Sequence, residues 1–540
     1  MKAAFPAALL LLPLPCAATP QPPERLPTPA QEQAQVQGAR PRLVVFLVVD
    51  QLRGDLLNRY ATLFSGGFKR LLDEGLSFSN ALHAHAATET APGHAALSTG
   101  VYPSRAGIPA NVWREGNGSD LHPVYNVVNP DHLLVGVEGL PGASPDVLSR
   151  GGLADWVLAE NPDAKVVSIS AKDRGAVLMA GKTRGEVYWF SSQAGLFVTS
   201  TFYKTENPAW LDAFNSEVLP GFRADSIWAS TIPEGAQDLS SPDTASFEGD
   251  GVHTFFPHRY SEERIDPGTD DFFLWFEGTP MLDDATLRLA KVATEETGAG
   301  ALEGRTDFLS VSLSQTDRIG HPFGPLSREQ MDNLLRLDRI LGDFLSFLDE
   351  RVGEGNYVLG LTSDHGVMTA PERITQGGVR LTREDRSFLQ QALNQAAQEA
   401  NQDPGTSLAS RMVDHLREIP FVGPAYTQEA LGSGEARDSI GVLFQHSFVP
   451  GRAGGLLSTY GVEMWWADNT VDWGLATGTT HGGPYLHDRW VPLILMGTGI
   501  GAGSRDEVVR PMDLAPTLAW LAGIPFPDDL DGKPLPLGGS

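Results

Sequence analysis

Short apolar runs rich in β-branched residues dominate the hydrophobic pattern, at positions 42–49, 164–170, 307–313, 357–361 and 491–496, each bounded by turn residues. Runs this short, apolar and β-branched predict buried parallel strands. Between them the apolar positions switch to helical spacing. The clearest case starts at Ser327, a predicted N-cap with Glu329 close behind, and continues to about Val352. Its residues Met331, Leu334, Leu337, Leu341, Phe344, Leu345 and Leu348 share one face. Strands alternating with helices predict an α/β sandwich around a mainly parallel sheet. Two long stretches containing Gly and Pro, about 181–305 and 368–476, lack acids at strand ends and read as insertions capping one core domain that spans 41–540.

Polar residues collect where such a sheet presents its reactive groups, just past the carboxyl ends of the strands. Asp50 follows VVFLVV, Asp317 follows DFLSVSLSQT, and Asp364-His365 follows NYVLGLTS. In TDRIGH, Asp317 and His321 are four residues apart, so one helical turn stacks them on one face. That pair alone also reads as a surface acid and a capping histidine. His481, in GTTHGGPY, brings the set to three carboxylates and three imidazoles, a donor set suited to zinc and sufficient for two ions with open positions.

Thr90, in ATETAPGHAALSTG, precedes a proline and a helix-forming run, where backbone N–H groups and the helix dipole stabilise phosphate oxygens. Taken alone it is a simple N-cap; beside the metal set it is the expected nucleophile. Lys172 and Arg174, in SAKDRG, are two apart at a predicted strand end, so an extended backbone would point both to one side. His83, His85 and His487 are expected to be structural or surface groups. Trp113, Tyr188, Trp189 and Phe190 could line a substrate wall but fit the core as well.

The chain has 540 residues, 41% hydrophobic and 20% charged, a composition that supports a large core. A formal net charge of -27 excludes a nucleic-acid-binding surface, which needs clustered Lys and Arg. A small phosphate ester stays compatible if metals and a few cations reverse the field locally. At the amino terminus, Lys2 precedes a short apolar run broken by Pro13 and Pro15 and followed by Cys16, Ala17 and Ala18. This predicts a signal peptide over 1–18, a Pro- and Gln-rich flexible leader over 19–40, and export to the periplasm or medium without a stable membrane anchor. Cys16 is the sole cysteine, so the mature chain is expected to lack disulfides.

The segments VVDQLRGDLLNRY, TETAPGHAALSTG, GIPANVW, SAKDRGAVLMAGK, SQTDRIGHPFGP, TSDHG and THGGPY occur in this order between about residues 42 and 500. As a set they resemble the PafA-type phosphate-irrepressible alkaline phosphatases of the alkaline phosphatase superfamily. The resemblance implies an alkaline-phosphatase-like three-layer α/β/α sandwich, two Zn2+ ions and hydrolysis of small-molecule phosphate monoesters through a phosphothreonine at Thr90. It puts Asp317, His321 and His481 on one zinc, and Asp50, Asp364, His365 and the Thr90 oxygen on the other. It also assigns Asn111, Lys172 and Arg174 to the transferred phosphoryl oxygens, a role suited to a monoester dianion. The rival with the same metals and nucleophile is a phosphodiesterase or nucleotide pyrophosphatase, expected to show an apolar groove in place of Lys172 and Arg174. A sulfatase would need Cys or Ser within C-x-P-x-R, and Thr90 is followed by APGH. A non-enzymatic phosphate binder would need a broken ligand, and none is visible.

Overall fold

A computed structural model of the chain describes residues 40–116, 120–224, 226–264, 271–375, 377–403 and 405–537. The expected signal peptide and all but the last residue of the leader lie outside the described residues. Nine strands form the central sheet: β1 (Leu43–Val49), β2 (Leu76–Leu82), β3 (Val166–Ser170), β4 (Glu186–Ser191), β5 (Leu196–Val198), β6 (Asp307–Leu313), β7 (Tyr357–Thr362), β8 (Trp490–Gly497) and β9 (Gly503–Val509). Their order is β9-β2-β8-β7-β1-β6-β3-β4-β5. The helices that matter here are α1 (Gly67–Glu74), α2 (Thr90–Thr99), α3 (Leu153–Glu160), α4 (Asp173–Met179), α5 (Met281–Thr297), α6 (Gln315–Phe323), α7 (Arg328–Leu348), α8 (Arg383–Gln402), α9 (Leu408–Leu416) and α10 (Leu514–Leu521).

Strand β1 is buried along its whole length because both faces of the sheet are covered. Its odd residues, Leu43, Val45, Leu47 and Val49, pack with Phe68 of α1, Leu282 and Leu289 of α5 and Leu334, Leu337 and Leu341 of α7. Its even residues, Val44, Phe46 and Val48, pack with Leu153 and Trp156 of α3 and Leu514 and Leu518 of α10. The result is the expected three-layer alkaline-phosphatase-like sandwich, with each enclosed aliphatic or aromatic side chain contributing about 1.5–3 kcal/mol. Helix α7 starts where its pattern predicts, Ser327 Oγ accepting the Gln330 N–H at 3.0 Å.

Register decides what the sheet presents at its edge. Strands β6 and β7 flank β1 in parallel, with Val49 opposite Leu313 and Val48 opposite Thr362. Strand β3 continues the parallel set, Ser170 lying opposite Ser312. Four strands therefore end at one level, and the residues that follow them converge.

Two expectations need correction. The run at 491–496 is a strand, but β8 is antiparallel to both β7 and β2. A continuous apolar run reports burial of both faces and carries no information about direction. The stretch 181–305 is in part core rather than decoration: β4 and β5 complete one edge of the sheet and α5 packs beneath it. Within 368–476 the antiparallel pair Val422–Thr427 and Val462–Trp466 packs with α8 and α9 around its own small core, including Leu389, Leu393, Met412, Leu416 and Met464.

Candidate active site

Just beyond the carboxyl ends of β1, β6 and β7, the predicted ligands come together. Asp317 and His321 stand one turn apart on α6, with His321 Nε2 3.2 Å from Asp317 Oδ1. His481 Nε2 reaches the same oxygen at 3.4 Å. These three have one ligand atom each close enough to share a metal ion, and Asp50, Asp317 and His365 make a second such group. His365 Nε2 lies 3.4 Å from Asp50 Oδ1 and 3.6 Å from Asp364 Oδ2. The observed grouping thus places Asp317 in both sets, whereas the expected division gave it to one; Asp364 stands beside the second set, its Oδ2 3.0 Å from His94 Nδ1.

Each imidazole is oriented by a backbone carbonyl at Nδ1, leaving Nε2 toward the carboxylates: His321 by Thr479 at 3.1 Å, His365 by Gly366 at 3.0 Å and His481 by Thr88 at 2.7 Å. Asp50 Oδ1 and His365 Nε2 are buried without a hydrogen-bond partner. Three enclosed carboxylates face one lysine, whose ammonium contacts Asp50 Oδ2 at 2.6 Å and Asp317 Oδ2 at 2.5 Å. Burial, then the nearby Asp364, pushes the Asp50 carboxyl well above the usual range. Burial opposes ionisation of Asp317 too, but Lys172 and His321 outweigh it and hold it well below. Burial keeps His365 neutral, as a metal ligand requires. Such a cluster is costly unless cations compensate it, and the unpaired oxygen and nitrogen fit a divalent ion of the zinc kind. The His321 side chain is 37% exposed, so the cluster opens to solvent there.

Thr90 is the first residue of α2, with Glu89 as N-cap, so it is not the cap its context also suggested. Among the described residues its hydroxyl makes no hydrogen bond, although Thr90 is only 1% exposed. The first turn of α2 lies directly against the end of β7: a Cβ on Gly93 would sit 2.4 Å from the Asp364 carbonyl oxygen. Asn111 stands beside the same turn, its Oδ1 accepting the Ala91 N–H at 2.8 Å while its own N–H donates to Glu89 Oε2 at 2.7 Å.

Lys172 and Arg174 do not share one extended segment. Lys172 is the N-cap of α4 and Arg174 lies inside its first turn, so the helix separates their directions. Arg174 Nη1 donates to the Tyr125 hydroxyl at 2.8 Å. Trp189 and Phe190 line a cavity of about 300 Å³ together with Lys172 and Arg174, whereas Trp113 is core, its indole N–H held by Glu115 at 2.8 Å. His83 and His85 are buried on backbone carbonyls of Ser363 and Ala87. His487 lies 3.4 Å from both Asp468 and Asp488.

Sequence reasoning missed three contributors. Gln51 has φ 65°, alone among the described non-glycine residues in being positive, and links Asp317 (2.8 Å) to Asp364 (3.2 Å) through its side chain and backbone N–H. Strain of that kind persists where surroundings over-determine it. His94 bridges the Thr90 carbonyl, Asp364 and Ser312. Tyr125 fixes Arg174. The PGH triplet beside Thr90 was a visible cue for His94; nothing local marked the other two.

A buried carboxylate–imidazole cluster at the strand ends, beside a helix start with a free hydroxyl, fits an ester-cleaving hydrolase and offers groups that could hold metal ions. The chain matches the model of the type I phosphodiesterase / nucleotide pyrophosphatase family over residues 44–406. It is 33% identical to the alkaline phosphatase PhoV of Synechococcus elongatus, over 92% of each chain. It is 32% identical to the alkaline phosphatase PafA of Elizabethkingia meningoseptica, over 92% of this chain and 94% of that one. The crystal structure of wild-type alkaline phosphatase PafA superposes with a TM-score of 0.83 at 30% identity, covering 92% of this chain and 99% of that one. The chain belongs to the type I phosphodiesterase / nucleotide pyrophosphatase family, among its PafA-type alkaline phosphatases, and is a phosphoric monoester hydrolase.

Proposed function

We propose that the chain hydrolyses small phosphate monoesters through transient phosphorylation of Thr90 at a site holding two zinc ions. The supporting observation is the convergence of Asp50, Asp317, His321, His365 and His481, with Asp364 beside them and unpaired atoms on Asp50 and His365, at the strand end against which the first turn of α2, carrying Thr90, is packed. When bound, the ions supply Lewis acidity that lowers the pKa of the attacking hydroxyl and stabilises the departing oxygen. Asp317, His321 and His481 would hold one; Asp50, Asp364, His365 and Thr90 the other.

The chain's own residues do the rest. Thr90 Oγ forms a bond to phosphorus as the ester P–O bond breaks, its proton passing to solvent while the leaving oxygen takes one up as an alcohol; water then attacks phosphorus from the vacated side, Thr90 Oγ leaves and is reprotonated, and inorganic phosphate is released. The Asn111 amide, its Oδ1 held by the Ala91 N–H, would turn its NH2 group to the phosphoryl oxygens at the positive end of α2. Asp50 and Asp317 belong both to the metal set and to the ion pairs of Lys172. With a divalent ion held by these carboxylates, Lys172 would be released from them to join Arg174 on the dianion. The amino-terminal pattern of Lys2, a short apolar run and small residues supports export, with the reaction in the periplasm or medium.

The family's diester-cleaving name supports the second reading, phosphodiester cleavage at the same site. An aryl phosphate monoester assayed beside an aryl phosphodiester, on zinc-loaded protein, decides between them. Faster diester turnover overturns the monoesterase reading. For Thr90→Ala, the expected result is retained zinc with no phosphoryl-enzyme; label trapped on another residue would overturn the nucleophile.

A further inference from the structure

Resting on the phosphatase reading above, we infer that the enzyme carries an apolar subsite, walled by Trp465, Met464 and Leu456, that binds a single aromatic ring on the leaving group of its substrate. If Asp317, His321 and His481 face the departing oxygen, the leaving group lies beside His321, where the cluster opens, and next to the His481 loop. The His481 side is not open solvent. Two cavities share the wall Leu456, Met464 and Trp465: one of about 130 Å³ reaches Glu89 and Gly482, and one of about 370 Å³ reaches Thr480 and His481. The subsite therefore touches the chain neighbours of the nucleophile and of a metal ligand at once.

The chemistry of the smaller cavity selects against sugars and other polyols. Its charged side chains are already engaged: Glu463 accepts from Gln428 and Ser458 at 2.7 and 2.8 Å. Arg452 is paired with Glu115 at 2.9 Å, and Glu89 accepts the Asn111 N–H at 2.7 Å. A hydroxyl-rich leaving group would lose its water there without gaining partners, whereas a flat apolar ring loses nothing. The volume is close to the roughly 150 Å³ at which an apolar cavity takes up benzene. Leu456 is 52% exposed, an apolar side chain standing at the mouth with no core to fill.

Trp465 has a second duty that the test must separate. Its indole packs on Gly482 and Gly483, where a Cβ would come within 2.6 and 2.4 Å of the ring, and so it also seats the loop behind His481. Phenyl phosphate and glycerol phosphate are compared as a ratio of kcat/KM in wild type, Trp465→Ala and Leu456→Gln, with inhibition by inorganic phosphate as the control for the metal site. Intrinsic leaving-group reactivity cancels when the ratios are compared between proteins. The expected result is a phenyl-to-glycerol ratio about tenfold lower in Trp465→Ala. In Leu456→Gln, which does not touch the diglycine, it falls about threefold, and phosphate inhibition is unchanged. Equal losses on both substrates would make Trp465 a positioning residue only and overturn the subsite, as would an unchanged ratio in both variants. Failure of zinc-loaded wild type to hydrolyse either monoester would instead overturn the phosphatase reading itself.

Discussion

Replacing Gly93 with alanine adds one methyl group where α2 meets the end of β7. In an ordinary helix interior this change stabilises by about 0.5–1 kcal/mol, because glycine has more freedom to lose. Here the new Cβ would lie 2.4 Å from the Asp364 carbonyl oxygen, 2.7 Å from its Cβ and 2.9 Å from its carbonyl carbon. Non-bonded carbons rest at about 3.5–4.0 Å, so the helix start and the Asp364 loop have to separate by about 1 Å. All three blocking atoms belong to one rigid strand end, and none can swing away as a long side-chain tip would. Overpacking of this kind costs about 1–3 kcal/mol, which exceeds the propensity gain. The functional effect is larger, because Thr90 rides on that turn while Asp364 and His365 ride on the other side. A displacement of about 1 Å between reacting groups lowers the rate about a hundredfold. The assay is kcat and KM for an aryl phosphate on zinc-saturated protein, with a urea unfolding curve. A folded Gly93→Ala protein with wild-type kcat, or with increased stability, would refute the close approach.

Metal removal should abolish turnover and lower the unfolding midpoint, since three enclosed carboxylates would then face only Lys172 and neighbouring imidazoles; zinc should restore both, and full activity in chelator would exclude the metal site. Asp338 accepts four backbone N–H groups around the start of α1, from Ser65 and Gly66 at 2.7 Å and from Phe68 and Lys69 at 2.9 and 3.2 Å. Asp338→Ala should cost about 3 kcal/mol or more, read from the urea midpoint with kcat unchanged. His258, enclosed by Glu263 at 2.8 Å and Glu329 at 3.4 Å, is raised to about 9: burial opposes its charge, and the two carboxylates outweigh it. Because the folded value lies above the unfolded one, its contribution is complete below about pH 6.5 and fades as pH rises through about 9, a loss of about 3 kcal/mol. His258→Gln should flatten that decline; an unaltered slope between those limits would show that the histidine is not its source.

The central strands and the acids that follow them were legible because burial on both faces leaves short, largely apolar runs, broken in β6 only by the small residues Ser310 and Ser312, that stop at Asp50, before Asp317 and before Asp364. Strands β2, β4 and β9 were not. In β2 and β9 polar and partly exposed positions interrupt the run, as in LSFSNAL, whereas the buried centre of β4, VYWF, reads as core or substrate wall without marking a strand. The direction of β8 was hidden for the opposite reason, since its fully apolar centre looks the same either way. Lys172 and Arg174 were identified by type, but their separation by the start of α4 depends on where helix geometry begins, and Asp173 gave the only local hint. Gln51, His94 and Tyr125 act by touching residues far away in sequence, a property no spacing encodes.

The order in which the ligands occur along the chain has a consequence for synthesis. Asp50 is made early, while His481 emerges only after the small lobe around α8 and α9 and only shortly before β8 closes the sheet beside β7. A partly translated polypeptide therefore holds carboxylates without their last imidazole, and β7 still lacks its outer neighbour. If these residues are the ligands proposed above, ions are not captured productively until nearly the whole chain is available. Maturation of the enzyme is thereby tied to completion of the polypeptide, and fragments ending before the final loop remain catalytically silent.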